Sequence, residues 1–139
     1  MNFVMVSGGY DPIHIGHIRQ IKEASNYGKV IVVLNSDEWL QRKKGYVFMP
    51  YEERKEILLS LKYVHRVFHQ AGHGDTVAES ILRYQPNIFC KGGDRTPDTM
   101  PQDELDACEK VGCRIVYGVG GGKVQSSSWL VDKIKELLK

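Results

Sequence analysis

The run Lys29-Val30-Ile31-Val32-Val33-Leu34 constrains this chain most. After the lysine it is wholly apolar and mostly β-branched, with no polar residue at alternate positions. A strand with one wet face would alternate. This one asks to be covered on both sides, as strands inside a parallel sheet are. Parallel neighbours need long crossovers, so helices should separate the strands. The rest of the sequence supplies them. Residues 3–6 read as a first strand ending at Gly8-Gly9. Residues 17–27 read as a helix with Ile18, Ile21 and Ala24 on one face and Gly28 as its stop. Asn35-Ser36-Asp37 offers caps for a short helix over 38–42. The stretch 42–50 breaks periodicity and reads as a loop.

Beyond it, Ile57, Leu58 and Leu61 stripe a helix over 51–61. A strand over 63–68, a turn at 71–74 and a helix over 76–84 follow. A strand over 87–90, a helix over 103–111, a strand over 113–117, a glycine-rich loop at 118–123 and a last helix over 127–138 complete the series. Strands and helices alternate, which specifies α/β architecture. We expect a single Rossmann-like, three-layer domain over residues 1–139, with a parallel sheet flanked by helices and right-handed crossovers. The length of 139 residues suits one domain.

Composition narrows the partners. A net charge of +2 is too small to make nucleic acid the main partner. A local basic cluster could still hold a small anion. Cys90, Cys108 and Cys113 are odd in number and lack paired spacing, so they form no disulfide framework and fit a reducing, cytoplasmic setting. The N-terminal segment has neither the basic start nor the apolar stretch of a signal peptide. No apolar run approaches the ~20 residues that span a bilayer.

In open parallel sheets, ligands bind beyond the carboxyl ends of the strands. Three unusual segments follow strand ends here: 8–17, 91–95 and 118–128. A folded sheet would bring them to one edge. In the first, Gly8 and Gly9 let backbone approach a ligand without a Cβ. His14 and His17 flank Gly16 at a helix start, where unpaired N–H groups attract anions and imidazoles can donate to phosphate oxygens. Gly16 leaves room for a base or sugar. Neither a Walker A pattern nor G-x-G-x-x-G is present. His65, His69 and His73 share a four-residue spacing, yet strand-like residues and two glycines keep them off any common helix face, so they are read as structural or surface residues.

His14-Ile15-Gly16-His17 resembles the HxGH signature of the cytidylyltransferase-like nucleotidyltransferases, and the resemblance extends over nearly the whole chain. Within that family, Leu34-Asn35-Ser36-Asp37, Pro50 with Glu53-Arg54, and Lys91-Gly92-Gly93-Asp94 look most like the adenylyltransferase domain acting on glycero-manno-heptose 1-phosphate. Residues 62–67 resemble the RYVDEV stretch of the glycerol-3-phosphate and choline-phosphate cytidylyltransferases, with Lys62, His65 and Arg66 departing from it. Residues 121–127 stand where those enzymes carry an Arg-Thr-Glu-Gly-Ile-Ser-Thr motif, here without its arginine.

The resemblance implies transfer of a nucleoside monophosphate from a triphosphate, ATP before CTP, to a phosphorylated small-molecule acceptor. ATP goes with a sugar phosphate, CTP with glycerol 3-phosphate or another alcohol phosphate. Mg²⁺ would be carried by the triphosphate, and the protein would be a homodimer acting without nucleic acid or membrane. His14 and His17 would bind the triphosphate and stabilise charge at the reacting phosphorus. Gly8, Gly9 and Tyr10 would shape a backbone cradle, and Asp11 would fix the loop or orient a histidine. Lys44, from its loop, would reach the phosphates. Arg54 would hold the acceptor or the triphosphate. Lys91, Gly92 and Asp94 would line the nucleotide edge, and Ser126, Ser127 and Ser128 would meet the β- and γ-phosphates. A non-catalytic nucleotide-binding module is the rival from another class.

Overall fold

A computed structural model describes residues 2–93 and 95–139. Its centre is a five-stranded sheet in the order β3-β2-β1-β4-β5, with every neighbouring pair parallel. The strands are β1 (Phe3–Gly8), β2 (Lys29–Leu34), β3 (Val64–His69), β4 (Ile88–Gly92) and β5 (Arg114–Val119). The helices are α1 (Ile15–Ala24), α2 (Asp37–Lys44), α3 (Tyr51–Leu59), α4 (Ala78–Tyr84), α5 (Gln102–Val111) and α6 (Ser127–Leu137), with a 3₁₀ turn at Pro97–Thr99.

The run that fixed the fold class behaves as its composition demands. Val30 to Leu34 are all at most 3% exposed, because successive side chains enter opposite layers. Val30, Val32 and Leu34 join Val4, Val6, Ile21 of α1 and Leu58 of α3 on one face. Ile31 and Val33 join Met5, Phe89, Ile81 of α4 and Ala107 of α5 on the other. The chain thus has the three-layer parallel architecture expected of it.

Strand order also places the site. From β1 the chain builds outward to β2 and β3, then returns to the other side of β1 to lay down β4 and β5. The direction of winding therefore reverses between β1 and β4. Pairing of β1 with β4 covers Val4↔Ile88 and Met5↔Phe89, whereas its register with β2 continues to Gly8↔Leu34. The carboxyl ends of β1 and β4 are left with a crevice between them, which is where doubly wound sheets take ligands.

Several element ends shift by a few residues from expectation, and two of these shifts bear on the site. Helix α1 begins at Ile15, two residues early, so His14 becomes its N-cap. Helix α2 runs through Lys44, so Arg42-Lys43-Lys44 is a last helical turn and not a loop. Gly45, at φ 83°, ends it in a left-handed conformation that costs glycine little. The three positive side chains sit at the helix end whose dipole favours cations. Arg42 and Lys43 are further anchored to Asp75, both at 3.1 Å.

Candidate active site

The crevice opens into a cavity of about 440 Å³, within the roughly 300–1,000 Å³ range of small-molecule sites. The three segments singled out by their position after strand ends all contribute to its wall. His14, Gly16 and His17 come from the first, Lys91 and Gly92 from the second, and Ser126, Ser127 and Ser128 from the third. Lys44 reaches it from the end of α2.

The two imidazoles are locked by the helix they cap. The Gly16 N–H donates to His14 Nδ1 at 3.0 Å, and the His14 N–H donates to His17 Nδ1 at 3.1 Å. Together these form a reciprocal capping box with histidine in both roles. An imidazole that accepts at Nδ1 carries its proton on Nε2 when neutral. Both rings are therefore fixed as Nε2–H tautomers. They stack with centroids 3.8 Å apart, and Tyr10 packs against His17 at 4.5 Å.

Charge reinforces neutrality. Burial, then the neighbouring His14, then Lys44 push the His17 pKa down to about 3. Burial, Lys123 and Lys44 lower that of His14. The site thus offers two neutral donors beside fixed cations. A pH effect follows. Between the ordinary value of 6.5 and about 3, the unfolded chain binds a proton at His17 that the folded chain refuses. Stability is therefore lost as pH falls through that window, by about 1.4 kcal/mol per pH unit. Urea midpoints measured from pH 7 to pH 4 should decline in the wild type and less steeply in His17→Asn. Equal slopes would refute a neutral, partly buried His17.

Gly16 lines the cavity, but it does not leave room for a base or sugar, as the sequence suggested. A Cβ there would lie 2.9 Å from the His14 ring. The space is taken by the imidazole that Gly16 itself holds. Gly16→Ala should displace that ring and lower turnover about tenfold or more, with a smaller change in thermal midpoint. Unchanged turnover would show that the ring's position is immaterial.

Other sequence expectations need correcting. Gly8 and Gly9 are not in the cavity wall. A Cβ on Gly8 would approach the Tyr10 ring at 3.3 Å, and one on Gly9 would meet Leu40 at 2.8 Å. Their bareness admits protein side chains, not a ligand. Tyr10 is 2% exposed and supports His17 from within the core. Asp11 does fix a loop: its carboxylate accepts from the Phe48 and Met49 N–H groups at 2.7 and 2.6 Å.

Arg54 is 1% exposed and lies outside the cavity wall. Its Nε donates to Met49 O, its Nη1 to Gly9 O and Asn35 O (each 2.8 Å), and its Nη2 to Asp37 at 2.6 Å. With its donors so engaged, it ties the exits of β1 and β2 to the start of α2 and the loop before α3, and does not face an acceptor. Asn35 extends this network to Gln70 at 2.6 Å, and so to the exit of β3. Asp94 falls outside the described residues.

Helix α6 opens on the cavity with Ser126 as N-cap, accepting from the Trp129 N–H at 3.1 Å. Ser127 donates to Pro12 O at 2.7 Å, pinning α6 to the histidine segment. Ser128 is exposed. Sequence reasoning missed Gln20 and gave no individual role to Arg95 and Lys123, which lie in the segments 91–95 and 118–128 and also line the cavity. Gln20 was findable: it lies one helical turn after His17, and so on the same face of α1. Among the described lining residues the charged groups are all cationic. Such a wall complements a polyphosphate. A divalent cation would find its oxygens on that polyphosphate, as Mg²⁺ commonly does.

The chain matches known proteins over most of its length. The family model described as cytidylyltransferase-like matches residues 5–133. The chain is 31% identical over 134 residues to a glycerol-3-phosphate cytidylyltransferase of Staphylococcus aureus, covering 95% of this chain and 98% of that protein. It is 32% identical over 142 residues to an FAD synthase of Thermoplasma acidophilum, covering 97% and 95%. It is 33% identical over 137 residues to the bifunctional protein HldE of Geotalea uraniireducens, covering 95% of this chain but only 26% of that protein, so it spans about a quarter of HldE. Among solved structures, the lipopolysaccharide core biosynthesis protein of Thermoplasma volcanium superposes with a TM-score of 0.66 at 26% identity, over 85% of this chain and 94% of that one. With the histidine-capped helix and the cationic crevice in place, the chain belongs to the cytidylyltransferase-like family of nucleotidyltransferases.

Proposed function

We propose that this protein transfers a nucleoside monophosphate from a nucleoside triphosphate, ATP before CTP, to a sugar phosphate and releases pyrophosphate. The observation that carries the reading is the pair of capped imidazoles at the mouth of α1, beside the N-terminus of α6 in a cavity walled by lysines. An acceptor phosphate oxygen attacks the α-phosphorus, its new P–O bond forming as the bond to the β-phosphate oxygen breaks. The electron pair leaves with pyrophosphate. The nucleophile is already anionic at neutral pH, so the protein needs no strong base. Its contribution is positioning and charge stabilisation.

In this reading the Nε2–H groups of His14 and His17 donate to oxygens of the reacting phosphoryl group. Lys44 and Lys91 offset negative charge on the chain of phosphates. The amides at the start of α6, with the exposed Ser128 hydroxyl, meet the β- and γ-phosphates. Gly92, whose backbone lines the cavity, flanks the nucleotide. Mg²⁺, carried by the triphosphate, would supply further charge neutralisation beside Lys44 and Lys91.

ATP and a sugar phosphate are favoured by the likeness of Lys91-Gly92-Gly93-Asp94 to heptose-phosphate adenylyltransferases. The end-to-end match with a glycerol-3-phosphate cytidylyltransferase supports the alternative of CTP and an alcohol phosphate. Incubation with each triphosphate, Mg²⁺ and a panel of sugar and polyol phosphates separates them. Pyrophosphate should appear with ATP and a sugar phosphate. Release with CTP and glycerol 3-phosphate alone would install the alternative, and nucleotide binding without turnover on any acceptor would favour a binding module.

The assembly belongs to the same proposal. Ile134, Leu137 and Leu138 are exposed near the end of α6, a surface that a homodimer would cover. Three free, buried cysteines suit a reducing cytoplasm. Among the described residues no helix is long and apolar enough to cross a membrane.

A further inference from the structure

We propose that Glu104 is a positioning residue of the nucleotide site, holding the Lys91 ammonium charged and in place at the cavity wall. This rests on the nucleotidyl-transfer reading, because it needs an anionic ligand in that cavity.

Lys91 lies near the end of β4, with its side chain 15% exposed and its Nζ 4.8 Å from the centre of the Phe89 ring. An ammonium group in such a place tends to lose its proton, since burial disfavours the charged form. Burial does lower the Lys91 pKa, and Arg95 adds to the effect. The groups acting the other way are Glu104, first, and the Cys108 thiol, both on α5. Among the described residues Glu104 is therefore the main local counterweight.

Its geometry is unusual for a simple ion pair. Glu104 has a side chain only 5% exposed and approaches Lys91 Nζ through Oε1 at 3.7 Å. Its Oε2 accepts from the Val77 N–H at 3.1 Å, which fixes the carboxylate against the start of α4. Oε1 itself has no hydrogen-bond partner among the described residues. A distance of 3.7 Å is an ion-pair contact but too long for a hydrogen bond. The ammonium is thus held by charge while its N–H donors remain available. An entering phosphate oxygen could take them without breaking a hydrogen bond first. A buried carboxylate left one oxygen short is costly, and packing alone gives no reason to keep one beside a cavity lysine. Helix α5 places Glu104 at the head of the stripe it forms with Ala107, Cys108 and Val111, where an apolar residue would ordinarily sit.

Glu104→Gln keeps the length of the side chain and an oxygen for Val77, and removes the charge. Two readouts apply. The first is the titration of the Lys91 ammonium, followed by NMR of isotope-labelled lysine in the free protein and assigned with Lys91→Met. The second is the dissociation constant for ATP and for CTP, measured calorimetrically from pH 7 to pH 10. In Glu104→Gln the Lys91 midpoint should fall by about one pH unit or more. The pH at which triphosphate affinity is lost should fall by the same interval, giving a roughly tenfold weaker complex between the two midpoints. On a Lys91→Met background, Glu104→Gln should leave affinity within about twofold, because the residue acts through Lys91.

An unchanged Lys91 midpoint overturns the proposal. So does a lowered midpoint with unchanged affinity, or an effect of Glu104→Gln that persists in full without Lys91. If Glu104→Gln does not fold, Glu104→Asp keeps the charge but withdraws it from Nζ, with the same expectation at smaller amplitude and the same refutation. Failure of the wild type to bind ATP or CTP at all, with the Lys91 midpoint still dependent on Glu104, would instead sink the nucleotide reading, and this role with it.

Discussion

His17→Ala should lower kcat by about 10²–10³-fold while the protein remains folded. The size follows from what the ring supplies. His17 is largely buried, neutral, and bound through Nδ1 to the backbone of its own helix cap. Its one remaining donor is Nε2–H. A donor held rigidly in a partly dry site acts on developing charge without reorganising, which is why losing one such group costs that much. His17→Asn separates the two uses of the ring. The amide oxygen can still accept from His14 N–H, whereas the Nε2 donor is gone. Turnover in His17→Asn should be as low as in His17→Ala, with more of the stability kept. Near-normal product formation by either variant would remove His17 from the chemistry.

Arg54→Met should destabilise the fold by about 3–5 kcal/mol, through the backbone carbonyls it leaves unpaired rather than through the half-exposed Asp37. Methionine replaces much of the volume but none of the donors. Gly9 O, Asn35 O and Met49 O would lose their partners, and Asp37 its cation. Each buried acceptor left unpaired costs on the order of 1–3 kcal/mol, and neighbouring losses do not add in full. Activity should fall as well, because Arg54 couples the exit of β1, which leads into the histidine segment, to α2, which carries Lys44. Urea denaturation measures the first effect. A loss under about 1 kcal/mol would mean that water replaces the guanidinium without strain, contrary to its 1% exposure.

The fold was legible wherever burial imposes a pattern. The β2 run suits a strand covered on both faces, and the strand ends then pointed to the segments that line the cavity. His14 and His17 were legible because two imidazoles around a glycine at a helix start serve packing poorly. Lys44 was misplaced because the last turn of α2 has no apolar residue to mark it. The contacts of that turn are with Asp75, more than 30 residues away, which pairs with Arg42 and Lys43 and is not visible in the local sequence. The role of Arg54 was hidden because its partners are mostly backbone oxygens, which leave no trace in composition.

A signal for it did exist. Arg54 precedes Ile57, Leu58 and Leu61 by three, four and seven residues, and so occupies the core stripe of α3. Glu104 stands in the same relation to the stripe of α5. A charged residue at a core position of an amphipathic helix announces a buried polar contact, though not with what. Gly8 and Gly9 illustrate the converse: sequence shows that a Cβ is missing, but only packing shows that Tyr10 and Leu40 fill the space.

The tautomers of His14 and His17 bear most directly on how this site handles phosphate. Long-range ¹H–¹⁵N correlation spectra of histidine-labelled protein at pH 7 report which ring nitrogen carries the proton. Both rings should appear neutral and protonated at Nε2, and added ATP or CTP with Mg²⁺ should shift both Nε2 resonances. A proton on Nδ1 of either ring, or Nε2 signals indifferent to saturating triphosphate, would contradict the capped-imidazole grip.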